Sequence, residues 1–342
     1  MPFRDVIGHR RLIGLLARSV GREVLPPSLI FAGPAGVGKR LAALATAQAL
    51  NCTARLPKHS GPDADLECDA CGVCAACTRI ARGVHPDVLL VAPGDSGSIK
   101  IEQVREIIDR AAYRPFEGRR RAVIIDEADA LVPAAQNALL KTLEEPPPSS
   151  VFLLVTARPD VLLPTVRSRC PRLQFRPLGQ RDIEAAMVTY GHSEAEARAV
   201  AATADGSLGR ALDTSAGDLV DARNVAQRVL AQAVAIDDPC RRIESAKDLL
   251  AKTGAGGAGD RQQLRSHLRA MASLLRDVEL LSARADVRAI ANPDVLPSLE
   301  RLTKAYDGER GMRAFTAVDR ALVALDRNAG VKIVADWLVL QL

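Results

Sequence analysis

The sequence predicts an α/β domain built on a parallel sheet, followed by an all-α C-terminal region. Three observations carry that expectation. Up to about residue 177, five short runs rich in Val, Leu, Ile or Phe alternate with segments of helical period. Beyond it the strand signal stops and long Ala/Leu/Arg helices take over. A glycine-rich turn lies directly between the first apolar run and the helix after it. With 342 residues the chain exceeds the ~250–300 at which a single core stops growing, so more than one domain is expected.

Taken in order, the expected strands are 28–32, 87–91, 122–126, 151–156 and 172–175, with helices 40–50, 101–112 and 133–143 between them. The last of these helices opens on Pro133 and stops at Glu144-Glu145-Pro146-Pro147-Pro148. Two or three short amphipathic helices are expected over 180–213, among them 180–190 and 194–204, ending in the turn Gly206-Ser207-Leu208-Gly209-Arg210. Helices are then expected over 217–235, 239–252, 260–284, 296–306, 311–328 and 331–342, with a Gly/Ala linker at 254–259. This gives three regions: 1–177, 178–215 and 216–342.

Composition removes several classes. A chain that is 48% hydrophobic and 25% charged is neither disordered nor collagen-like. Aromatic residues at 3% argue against a β-sandwich and against a single-strand reader that stacks bases on many rings. A net charge of +5 is compatible with an acidic partner without demanding one. Met1-Pro2-Phe3-Arg4-Asp5 does not open a signal peptide, and no run of ~18 apolar residues could span a membrane, so a soluble cytoplasmic protein is expected.

Gly33-Pro34-Ala35-Gly36-Val37-Gly38-Lys39-Arg40 matches the phosphate loop G-x-x-x-x-G-K. There Gly33, Gly36 and Gly38 let backbone N–H groups wrap a phosphate, and Lys39 adds a point charge at a helix N-terminus. The eighth position departs from the pattern. A hydrolysing enzyme needs Ser or Thr there to help hold Mg2+, and Arg40 has no oxygen to offer. Phosphate binding is left open and hydrolysis is expected to be crippled. Val123-Ile124-Ile125-Asp126-Glu127-Ala128-Asp129 has the form of a Walker B strand end, in which Asp126 would position the metal and Glu127 the attacking water.

Five of the seven cysteines fall within 52–77. Cys71-x2-Cys74-x2-Cys77 with a fourth thiolate closes a structural tetrahedral Zn2+ site, and either Cys52 or Cys68 could supply that fourth ligand. Arg169, in Thr165-Val166-Arg167-Ser168-Arg169-Cys170, would be an exposed guanidinium of the type that stabilises transferring phosphate charge on a neighbouring subunit.

The ordered set of the phosphate loop, the cysteines, His85-Pro86-Asp87, Asp126-Glu127-Ala128-Asp129, Asn137-Ala138-Leu139-Leu140-Lys141-Thr142-Leu143-Glu144-Glu145-Pro146 and Ser168-Arg169-Cys170 resembles the clamp-loader branch of the AAA+ family. Within it the chain is most similar to the δ′ type of bacterial DNA polymerase III. The resemblance covers residues 1 to about 212. It implies a sheet of order 5-1-4-3-2, a helical lid and an oligomerising collar. It also implies a sensor 1 position at Thr156, a sensor 2 position at Arg210, an arginine finger at Arg169 and zinc ligands Cys52, Cys71, Cys74 and Cys77, with Cys68 extra.

The function so implied is that of a stator in a hetero-pentamer with γ/τ ATPase and δ subunits. That ring loads the sliding clamp on primer-template DNA through backbone contacts, as part of a DNA-directed DNA polymerase holoenzyme at the replisome. An active γ/τ-type ATPase and a zinc-stabilised scaffold without nucleotide are the alternatives.

Overall fold

The structure is a computed structural model of residues 1–342, described for all of them except 55–65, 67, 95–96, 205, 214–215, 237, 251–256, 285–289, 291, 293–294, 307 and 327–328. It divides into two compact units. One comprises Met1–Asp182 with Gly206–Gly209, the other Ile183–Asp205 with Arg210–Leu342.

In the first unit, β1 (Ser28–Ala32), β2 (Val88–Val91), β3 (Arg121–Ile125), β4 (Ser150–Thr156) and β5 (Arg172–Gln174) form one sheet of order β2-β3-β4-β1-β5. Every pairing is parallel, with Ile30 opposite Leu154 and Ile124 opposite Leu153. This is the expected 5-1-4-3-2 order. Strands β1, β3 and β4 are buried along their whole length, which explains why they read as unbroken apolar runs.

Alternation divides their side chains between two cores. Leu29, Phe31, Ile124, Leu153 and Val155 face α1 (Arg10–Gly21) and α2 (Lys39–Asn51), whereas Ile30, Val123, Ile125, Phe152 and Leu154 face α4 (Ile101–Ala112) and α5 (Pro133–Glu144). Helix α3 (Ala75–Ala81) follows the cysteines, and α6 (Pro164–Arg167) precedes β5. The sequence reading omits α1, although Ile13, Leu16, Ala17 and Val20 form its buried stripe at i, i+3, i+4 and i+7.

The remaining helices are α7 (Gln180–Thr189), α8 (Glu194–Thr203), α9 (Leu208–Asp213), α10 (Ala216–Ala235), α11 (Pro239–Leu249), α12 (Gly257–Ser282), α13 (Leu296–Thr303), α14 (Gly308–Asp326) and α15 (Val331–Gln341). Ser193 and Glu196 close a reciprocal capping box on α8. In the second unit, Leu264, Leu268, Met271 and Leu275 of α12 pack with Val318 and Leu325 of α14 and Val229 and Leu230 of α10. The buried Tyr306 hydroxyl donates to the Leu230 carbonyl at 3.0 Å. The expected linker at 254–259 is partly helix, since α12 already starts at Gly257, with Asp260 in its first turn where the helix dipole favours an acid. Residues 254–256 lie outside the described residues. Among the described residues no helix is long and apolar enough to cross a membrane.

Candidate functional site

The phosphate loop leaves β1 and enters α2 through Gly38, whose φ of 98° only glycine adopts without strain. Gly36 is required twice over: its φ is 73°, and a Cβ there would stand 2.1 Å from Ser207 Oγ. The Gly36 carbonyl accepts the Gly209 N–H at 2.9 Å. Lys39 is only 7% exposed, and its Nζ donates to the carbonyls of Gly33 at 2.7 Å and Pro34 at 2.5 Å. Burial pushes its pKa down, and Asp126 and Asp129 counter that in part. Open glycines, a helix N-terminus and a buried lysine fit an anionic phosphate.

A divalent cation finds a different environment. Arg40 reaches across to Asp126 at the end of β3, Nη1 to Oδ2 3.3 Å, and occupies the carboxylate that would hold the metal in a Ser/Thr loop. Glu127 follows with φ 48° and ψ 48°, a left-handed conformation uncommon for a residue with a side chain. Thr156, at the end of β4 and fully buried, donates its hydroxyl to Asp129 Oδ1 at 2.8 Å. Arg158 Nε donates to Asp129 Oδ2 at 2.9 Å. Burial would raise the Asp129 pKa, but these donors hold it below the usual carboxylate value. Lys39, Arg40, Asp126, Asp129 and Thr156 therefore converge at the carboxyl ends of the strands, with Glu127 next in the chain and exposed. Arg210 lies on α9 in the second unit.

The cysteines gather as a separate centre. The Sγ atoms of Cys52, Cys71, Cys74 and Cys77 all lie within 4.8 Å of one another, with 3.9 Å between those of Cys52 and Cys74. A tetrahedron with ~2.3 Å metal–sulfur bonds has sulfur–sulfur edges of ~3.8 Å, so this set fits a structural metal ion. Cys52 Sγ accepts the Cys71 N–H, and Cys71 Sγ the Cys74 N–H, each at 3.2 Å. Arg4 and Arg119 donate to the carbonyls of Cys71 and Cys52, which puts two cations beside what four thiolates would make an anionic centre. Burial pushes the Cys52 and Cys77 thiols up. Cys74, which burial would also raise, is drawn down to about 5 by hydrogen bonds with Thr53 and Cys77. Cys68 stands outside the cluster, in the apolar core with α1, where its Cβ approaches Gly21.

Arg169 follows α6 and is about one-third exposed. Its Nη1 donates to the Thr165 carbonyl at 2.8 Å, and its Nε to Glu144 Oε1 at 2.8 Å.

Four further polar residues organise this unit. Asp69, buried, accepts the N–H groups of Phe3 and Ala70 at 2.7 Å each and pairs with Arg4 at 3.0 Å, tying the N-terminal segment to the cysteine loop. Asp87 accepts the N–H groups of Phe116, Glu117 and Gly118 and pairs with the buried Arg121 at 2.9 Å. His85 caps that corner, its Nδ1 accepting the Asp87 N–H at 3.1 Å. His9 Nε2 meets the Val37 carbonyl of the phosphate loop at 3.0 Å, and its ring stands edge-on to Phe175. No sequence signal marks His9 or Arg158. Asp129 and Asp87 lie in the motifs already noted, but their partners come from distant strands.

Comparison with known proteins adds the following. The chain is 38% identical over 151 residues to DNA polymerase III subunit delta' of Pseudomonas aeruginosa, covering 44% of this chain and 43% of that protein. It is 34% identical over 217 residues to DNA polymerase III subunit tau of Escherichia coli, covering 61% of this chain and 32% of that protein. It is 33% identical over 192 residues to subunit gamma/tau of Mycobacterium tuberculosis, 56% of this chain and 32% of that protein. The chain thus spans less than half the length of each of these relatives. Among solved structures, a DNA polymerase III gamma subunit-related protein from Thermotoga maritima matches over 95% of this chain and 96% of its own at 18% identity and a TM-score of 0.42, a loose likeness. The family model for DNA polymerase III, delta subunit, matches residues 8–179, half of the chain, and the chain belongs to that family.

Proposed function

We propose that the chain is a δ′-type subunit of the DNA polymerase III clamp loader. In this reading it is a ring member that does little chemistry itself and lends Arg169 to the ATP site of a neighbouring motor subunit. The observation that carries the proposal is the ion pair between Arg40 and Asp126, 3.3 Å apart, where a motor subunit would hold Mg2+ between a hydroxyl and that carboxylate. A guanidinium supplies five donors and no acceptor, so it cannot replace the lost metal ligand. Membership of the delta-subunit family and the similarity to a delta' subunit support the same reading.

The partners in this proposal are γ/τ and δ subunits in a hetero-pentamer, the sliding clamp through the complex, and primer-template DNA held by its backbone. Residues 178–215 serve as the lid and 216–342 as the collar. Thr156 and Arg210 take the sensor positions, Cys52, Cys71, Cys74 and Cys77 hold a structural Zn2+, and the complex works in the cytoplasm at the replisome. A γ/τ-type motor is the second reading. It is favoured by the retained Asp126 and Glu127 and by the longer stretches matched in gamma/tau relatives. ATP turnover of the isolated full-length chain separates the two. The stator reading expects turnover at background; brisk hydrolysis abolished by Lys39→Ala would establish the motor instead.

A further inference from the structure

The phosphate loop of this chain is neither intact nor abandoned, and that combination has a chemical meaning. Every part that binds phosphate is present: the left-handed Gly36 and Gly38, the start of α2, and the buried Lys39, whose ammonium rests on the Gly33 and Pro34 carbonyls of the same loop and would turn from them to a phosphate. Each part that would bind the divalent cation is engaged elsewhere or lost. The hydroxyl of the eighth position is gone, Asp126 pairs with Arg40, and Asp129 is filled by Thr156 and Arg158. The acids at the loop are matched without a metal, because Arg40 pairs with Asp126, Arg158 pairs with Asp129, and Lys39 lies within the field of both carboxylates. With Ser or Thr at position 40 the same cluster would be one charge more acidic, and a dense phosphate anion would need an added cation to enter it. Arg40 has its side chain half exposed, so it can swing from the carboxylate to a phosphate oxygen as a planar, two-pronged donor. A Mg2+ ion at Asp126 would instead meet that guanidinium as a like charge.

We infer that this chain binds nucleoside di- and triphosphates without a divalent cation, with Arg40 as the built-in cation of the site. The inference goes beyond the stator proposal and does not rest on it, since Arg169 acts on a neighbour's nucleotide and this site on the chain's own. Metal-free binding also accounts for a loop that keeps its phosphate cradle while losing the ligand needed for turnover. Nucleotide would then be a structural occupant that braces the turn at Gly206–Gly209 against the loop through the Gly36 carbonyl.

The test is equilibrium dialysis of radiolabelled ADP and ATP against the full-length protein, in excess EDTA and in excess Mg2+. Affinities within about threefold of each other in the two buffers are expected, together with loss of at least about tenfold in both for Lys39→Ala. Arg40→Thr, at an exposed position that threatens no core, is expected to lose about tenfold in EDTA and to recover it with Mg2+. Mn2+ paramagnetic resonance provides a readout that does not depend on affinity: the ion should join nucleotide on the Arg40→Thr protein and not on the wild type. The inference is overturned if wild-type binding requires Mg2+, if neither nucleotide binds in either buffer, or if Arg40→Thr leaves the metal dependence unchanged.

Discussion

Glu144, the last residue of α5, holds Arg169 through two donors of its guanidinium, Nε at 2.8 Å and Nη2. The stop signal that ends α5 and the arginine after α6, 25 residues apart in sequence, are thus one electrostatic unit. Both side chains are substantially exposed, so the pair gains little Coulomb energy in water and is worth ~0–1 kcal/mol. That weakness suits the proposed role in trans, in which the guanidinium would exchange its partner for a phosphate. Glu144→Gln is accordingly expected to shift the urea midpoint by no more than ~1 kcal/mol equivalent. A larger loss would mean that the pair is structural and that Arg169 is not free to act in trans.

The metal centre gives a second expectation. Metal analysis of the purified chain should find about one zinc per chain, lost on Cys52→Ser or Cys77→Ser and retained on Cys68→Ser, because Cys68 lies outside the sulfur cluster that Cys52 and Cys77 share. Structural Zn2+ contributes ~10–16 kcal/mol to folding in small peptides, so chelation should remove hydrogen-exchange protection from α3 while β3 and β4 keep theirs. Loss of metal on Cys68→Ser alone would reverse the assignment.

The corner around Asp87 is a third. Burial would raise the Asp87 pKa, but three backbone N–H groups and Arg121 hold it down at about 2. Removing the carboxylate leaves the buried Arg121 charge without its partner, which costs ~3–5 kcal/mol. Asp87→Ala should therefore lower the urea midpoint strongly, whereas Glu102→Ala on the exposed face of α4 should not. Equal effects would show that the corner is not a buried ionic node.

Acid sensitivity follows from the histidines. Burial lowers the pKa values of His9, His85 and His267 below the ordinary 6.5. Below that value the unfolded chain takes up protons that the folded chain resists, so their contribution is complete above pH 6.5 and is lost as pH falls through the lowered values. Stability should decline over the interval that opens at about pH 6.5 and runs down through the lowered values. A flat profile over that interval in urea titrations would contradict these shifts.

The sheet was legible because parallel strands buried on both faces leave continuous apolar runs, and 28–32, 151–156 and 172–175 stand within a residue of the observed strands. The four-cysteine set was legible as a pattern, although spacing alone left Cys52 and Cys68 equal; the sulfur cluster includes Cys52, while Cys68 packs against Gly21. Arg40 was readable as a missing hydroxyl but not as a partner of Asp126, because that contact depends on how β1 and β3 are placed in one sheet. The same holds for Asp129 with Thr156 and Arg158, which meet only where β3 and β4 end side by side. Helix α1 escaped because its buried stripe is only four residues long and the helix follows a left-handed His9 instead of a Ser, Thr or Asp cap.

The most direct test of the central claim is DNA-stimulated ATP hydrolysis by the reconstituted clamp-loader complex carrying Arg169→Ala in this chain. An arginine supplied in trans is worth ~10³–10⁵ in turnover at the site it serves in related phosphoryl transfers. The stator account predicts a complex that still assembles but hydrolyses ATP at least about tenfold more slowly. Assembly with unchanged turnover would contradict it.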